Sequence, residues 1–97
     1  MQVFIYGKVL KDRDIPFMQD LMDVLHEANI NVFVYTPFLE QIKEKIKFQK
    51  DVAATDGYKD LIARKIDICI SMGGDGTMLN STTIIRDSNI PLSLIHI

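Results

Sequence analysis

The chain lacks most of the features that tie a protein to a membrane, a nucleic acid or an oxidising compartment. It has one cysteine in 97 residues, which excludes an internal disulfide and any cluster of thiolate metal ligands. Neither sign of charge dominates: 11 basic residues face 13 acidic ones, for a net charge of -2. That balance gives no electrostatic footprint for nucleic acid and no polybasic face for a membrane. No stretch approaches the roughly 20 apolar residues that span a bilayer. The opening "MQVFIYGKVLKDRD" has too short an apolar run for a signal peptide and no small-residue cleavage site. Internal repeats, low-complexity tracts and Gly/Ser/Pro-rich linkers are also missing. The length allows one small domain, and a reducing, cytoplasmic setting is the expectation.

What is present is an alternation of two periodicities. "QVFIY" (2–6) reads as a strand, and Gly7 with "KVLKDRD" as the loop after it. Asp14 is expected to cap a helix that tolerates Pro16 in its first turn and carries Met18, Leu21, Met22 and Leu25 on one face. "ANIN" (28–31) ends that helix and "NVFVY" (31–35) is a second strand. "TP" (36–37) predicts a cap followed by proline at the first helical position, with Phe38, Leu39, Ile42 and Ile46 on one face. "DVAATDGY" (51–58) carries no clear signal, and 58–65 add a short helix. "KIDICISM" (65–72) is the third strand, taken as the central one; its unbroken apolar run suits a strand covered on both faces. A helix over about 77–86, a turn at "DSN" (87–89) and a fourth strand over "IPLSLIHI" (90–97) follow. Strands alternating with helices predict an α/β fold, a Rossmann-like parallel sheet with flanking helices.

The feature that points to chemistry is "SMGGDGTML" (71–79). Ligands of open α/β sheets bind outside the carboxyl ends of the strands, where this turn stands. Gly73, Gly74 and Gly76 permit positive φ and close approach of a ligand to the backbone. A helix starting near Thr77 offers free N–H groups to a phosphate. Asp75 is the odd member, because a carboxylate repels a phosphate. Facing a ligand, it accepts a proton from a hydroxyl, hydrogen-bonds a sugar or holds a metal ion. The bland alternative is that it bonds the local backbone or caps the helix.

On these residues, "IDICI" running into "SMGGDGTML" with "SNIPL" beyond, the chain resembles the NAD kinases. Related turns occur in diacylglycerol kinases, sphingosine kinases and phosphofructokinases. The resemblance is close over 66–92 and one of order and spacing over 1–65. It implies transfer of the γ-phosphate of ATP, with a divalent metal ion such as Mg2+, to the 2′-hydroxyl of the adenosine ribose of NAD, giving NADP. It places the catalytic base and ribose ligand at Asp75, and further contacts at Gly73, Gly74, Gly76 and Thr77. Asn80 stands where the family often has a basic residue that contacts the dinucleotide; its amide retains hydrogen bonding and lacks the charge. No metal ligand is assigned. Partners are small-molecule nucleotides, with a homo-oligomer expected for the complete protein. A lipid or sugar kinase sharing the turn, or a non-catalytic nucleotide-binding fragment, stand as alternatives.

The resemblance also sets an expectation for the ending. In the family, two apolar residues follow the proline, then a loop with glycine and asparagine, then a mostly β domain with an Asn-Glu motif and much of the NAD pocket. Here Ser93 and Leu94 stand in place of the second apolar residue and the glycine, and the sequence closes at "IHI". Residues 1–97 are thus expected to be the truncated N-terminal domain of a two-domain kinase, its β-rich second domain absent, and inactive alone. Leu92, Leu94, Ile95 and Ile97 would form an orphaned end with exposed apolar surface and strand edge. Other residues have plainer roles. Cys69 reads as a buried, inert thiol and Met18 and Met22 as core filler. His26 reads as a favourable contact with its helix dipole, and "KEKIKFQK" (43–50) as a solvated helix end. Gly7 and Lys8 lie at the ligand edge, as a simple turn or as an approach to a nucleotide. His96 is assigned nothing.

Overall fold

In the computed structural model, which describes residues 1–73, 84–85 and 89–95, all five strands run parallel. They are β1 (Gln2–Gly7), β2 (Asn31–Tyr35), β3 (Ala53–Thr55), β4 (Ile68–Met72) and β5 (Leu92–Ile95). The lateral order is β3-β2-β1-β4-β5. Three helices are described in full: α1 (Ile15–Glu27), α2 (Thr36–Ile42) and α3 (Tyr58–Ala63). Ile84 and Ile85 are also helical. Among the described residues, no helix is long and apolar enough to cross a membrane.

The direction of travel along the sheet decides which face each helix covers. The chain steps outward from β1 through α1 to β2, then through α2 to β3. It next jumps back over two strands, through α3, to β4 on the far side of β1, and continues outward to β5. Crossovers between parallel strands keep one hand, so reversing the direction moves the connection to the other face. The packing agrees. Met18, Met22 and Leu25 of α1 and Phe38 and Ile42 of α2 pack with Val3, Ile5, Val32, Val34 and Met72. Leu61 of α3 and Ile85 pack with Phe4, Tyr6, Phe33 and Cys69 on the opposite face. β1, β2 and β4 contribute alternate residues to the two cores, as the period of two requires. A fully buried Met or Ile such as Met18, Met22 or Ile42 contributes about 1.5–3 kcal/mol relative to exposure.

Several expectations are corrected. Asp14 precedes α1 without capping it, because the chain enters through a 3-10 turn, Asp12–Asp14, that holds Asp14 near helical geometry (φ -97°, ψ -3°). A capping residue needs an extended backbone to turn its oxygen onto the first N–H groups. Thr36 is already helical: α2 starts directly from Tyr35, also with no side-chain cap, and ends at Ile42. The chain past Ile42 tightens into turns that still bring Ile46 into the core, with its N–H 3.0 Å from the Ile42 carbonyl. β3 is a strand where no element was assigned, so the strands after it are the fourth and fifth. β4 begins at Ile68, not Lys65, since Lys65 is left-handed (φ 56°). It lies inside the sheet, but the central strand is β1.

Candidate functional site

The strand order reverses between β1 and β4. In open α/β sheets the carboxyl ends of the two strands at such a reversal are where a crevice forms and ligands bind. Register puts Tyr6 beside Ser71 and Gly7 beside Met72. Gly73 follows at once, with φ 139°, a backbone region that favours glycine. Its N–H donates to the Ile95 carbonyl at 2.9 Å, so β5 anchors the start of the glycine turn. Gly73 thus stands at the carboxyl end of β4 with a positive φ. Gly74, Asp75, Gly76, Thr77 and Asn80 lie outside the described residues.

The opposite lip is built by the loop after β1. Gly7 lies against the Phe38 ring so closely that a Cβ would come within 2.7–2.8 Å of three ring carbons. The Gln41 side chain of α2 then holds the loop at two points: its Nε2 donates to the Lys8 carbonyl, and its Oε1 accepts the Leu10 N–H at 3.2 Å. Leu10 is buried beneath, while Lys8 and Val9 are exposed. The clamp escapes sequence reasoning because Gln41 is 31 residues from Leu10 and its side chain looks like any polar helix residue. Beside the lip, the Tyr6 and Tyr35 rings meet at 4.8 Å between centroids. Burial raises the Tyr6 hydroxyl above its ordinary value of 10.0, with Tyr35 adding to the effect.

The remaining candidates behave as structure. Cys69 is fully buried, and burial pushes its thiol up to about 12, so it stays protonated and inert. His26 differs from its expected role. The residue is 2% exposed, and neither ring nitrogen has a hydrogen-bond partner among the described residues. Burial lowers its pKa below 6.5, Lys50 lowers it further and Asp23 opposes. A dipole contact would need the charged form, which this site disfavours. Ser71 is also fully buried, its Oγ without a hydrogen-bond partner among the described residues. No group of three or more His, Cys, Asp or Glu that could hold a metal gathers among the described residues.

The comparisons with known proteins agree on one family. The ATP-NAD kinase N-terminal domain family matches residues 3–95. A protein named NAD kinase from Christiangramia forsetii is 30% identical over 92 residues, covering 95% of this chain and 31% of its own length. The NAD kinase of Cytophaga hutchinsonii is 33% identical over 89 residues, with 91% and 30% covered. That of Flavobacterium johnsoniae is 28% identical over 92 residues, with 95% and 31% covered. The chain thus spans about a third of the length of the curated relatives it matches.

Proposed function

The chain belongs to the NAD kinase family, matching its N-terminal domain, and we propose that it supplies the phosphoryl-transfer turn of an enzyme that makes NADP from ATP and NAD. The observation that carries this reading is Gly73 opening the "GGDGT" sequence at the crevice between β1 and β4. Asp75 is the base. It accepts the proton of the ribose 2′-hydroxyl as that oxygen bonds to the γ-phosphorus, while the bond to the ADP oxygen breaks. Gly73, Gly74, Gly76 and Thr77 border the nucleotide, and Asn80 hydrogen-bonds it without adding charge. Mg2+ is characteristically held by substrate phosphates and one or two carboxylates; where ATP is the donor, the ion arrives on its phosphates.

Three measurements test the reading. Titration of the 97-residue chain with ATP and NAD should show nucleotide binding, and incubation with both plus Mg2+ should give no NADP above background. The second expectation follows from positioning, which supplies much of the acceleration in phosphoryl transfer, in relatives about three times this length. Chemistry is tested by replacing the matched segment of the Christiangramia forsetii relative with residues 3–95. Asp75→Asn in that chimaera should cut turnover by about 10²–10⁴-fold, the usual worth of general-base assistance. A rate close to the parent's would remove Asp75 from the role. Transfer to a sugar or lipid hydroxyl, with none to NAD, would assign the turn to another class of kinase.

A further inference from the structure

We propose that Lys8 is a phosphate contact of the nucleotide site, held in position by Gln41; this rests on the nucleotide-site reading above. The need for a cation is visible in the sequence. Between Lys65 and Arg86 there is no basic residue, and the one charged side chain after Asp67 in that stretch is Asp75. A polyphosphate brought to this sequence finds a carboxylate, Asp75, and no positive side chain over residues 66–85 to offset its repulsion. The offset has to come from across the crevice.

The sheet order says where. β1 is the neighbour of β4, and Gly7 sits beside Met72. Lys8 is the next residue along, exposed, and no ion pair involves it among the described residues. Other basic side chains of the same loop are engaged or further along: Arg13 lies 3.9 Å from Asp14, and Lys11 stands at the entry to the 3-10 turn. The backbone on both sides of Lys8 is also held in place. Gln41 accepts from Leu10 and donates to Lys8, Leu10 is buried, and Phe38 closes against Gly7. A flexible ammonium on a fixed backbone gives a point charge for phosphate at reduced ordering cost. Gln41 is a positioning residue that acts through this loop.

Calorimetric titration of the 97-residue chain with ATP, tripolyphosphate and adenosine tests the proposal. Lys8→Ala should weaken ATP and tripolyphosphate by about 3- to 10-fold, the range of one partly exposed charge-assisted contact, and leave adenosine unchanged. Lys8→Arg should restore most of the loss. Lys11→Ala, which removes the same charge from the same loop, should leave all three ligands unaffected. Gln41→Ala should weaken tripolyphosphate in the same direction, and the double variant should lose less than the sum of the two. If Lys8→Ala binds tripolyphosphate as the parent does, Lys8 is not a contact and the site reading survives. If the parent binds neither ATP nor tripolyphosphate, the site reading and this inference fall together.

Discussion

Gly7→Ala is the smallest change that probes how the crevice is built. A Cβ on Gly7 would lie 2.7, 2.7 and 2.8 Å from Cε1, Cζ and Cε2 of Phe38. Real Cβ atoms essentially never come within 3.0 Å of another heavy atom, so something must move by several tenths of an ångström. The ring has little freedom to yield. Phe38 is 1% exposed and packs with residues of β1, β2 and α1. Backbone conformation adds nothing to the cost, since Gly7 has no left-handed φ. The effect is therefore overpacking alone, about 1–3 kcal/mol. A chain of 97 residues has roughly 5–15 kcal/mol of total stability, so the loss is substantial. It corresponds to a fall in thermal midpoint of about 4–24 °C for a domain of this size.

The assay is urea unfolding followed by circular dichroism, with Phe38→Leu and the double variant completing a cycle. Trimming the ring should relieve the added methyl, so Gly7→Ala should cost at least about 0.5 kcal/mol less in the Phe38→Leu background. Gly7→Ala within about 0.5 kcal/mol of the parent would refute the close contact. So would strict additivity in the cycle, which would mean that the methyl strains something other than the ring.

Further outcomes follow from the same structure. Below about pH 6.5 the unfolded chain protonates His26 while the folded site, with its lowered pKa, resists. Stability should therefore be full above neutral pH and fall as pH drops from 6.5 through the folded value. His26→Leu should flatten this slope in midpoints measured from pH 7.5 to 5, and an unchanged slope would place the titration elsewhere. Ser71→Ala removes a fully buried hydroxyl with no partner among the described residues. It should leave stability equal or raise it by up to about 1 kcal/mol, and a clear loss in denaturant unfolding would reveal a hydrogen bond. Deleting 93–97 strips the pairings of Ser93, Leu94 and Ile95 with β4 and the Gly73–Ile95 hydrogen bond. The midpoint should drop by roughly 10 °C or more, and an unchanged midpoint would return the segment to a loose end.

That last outcome marks the line between what was legible in the sequence and what was not. β1, α1 and β2 were readable because their signals are local: a β-rich run stopped by Gly7, a helical stripe of Met18, Met22 and Leu25, and "NVFVY" after a left-handed Asn29. β3 was invisible because Ala53–Thr55 has no apolar alternation. It exists through pairing with Phe33, Val34 and Tyr35 and through the bond of Thr55 Oγ1 to Asp60. Leu92–Ile95 reads as an orphaned end because no local signal names its partner, which lies upstream, in Cys69–Met72. The candidate site divides in the same way. The glycine turn is contiguous, so its chemistry could be argued from "GGDGT" alone. Gly7 and Lys8 could be placed at the ligand edge from sequence, but not beside this turn, because the jump from β3 across the sheet to β4 is a property of lateral order that no local pattern encodes. That jump makes Gly7 the neighbour of Met72 and sets a lysine near the start of the chain beside a turn 65 residues further on. On the proposed reading, an acid among glycines needs a cation to offset its repulsion of a phosphate, and that cation comes from the loop after β1, whose strand is the neighbour of β4 in space and far from it in sequence.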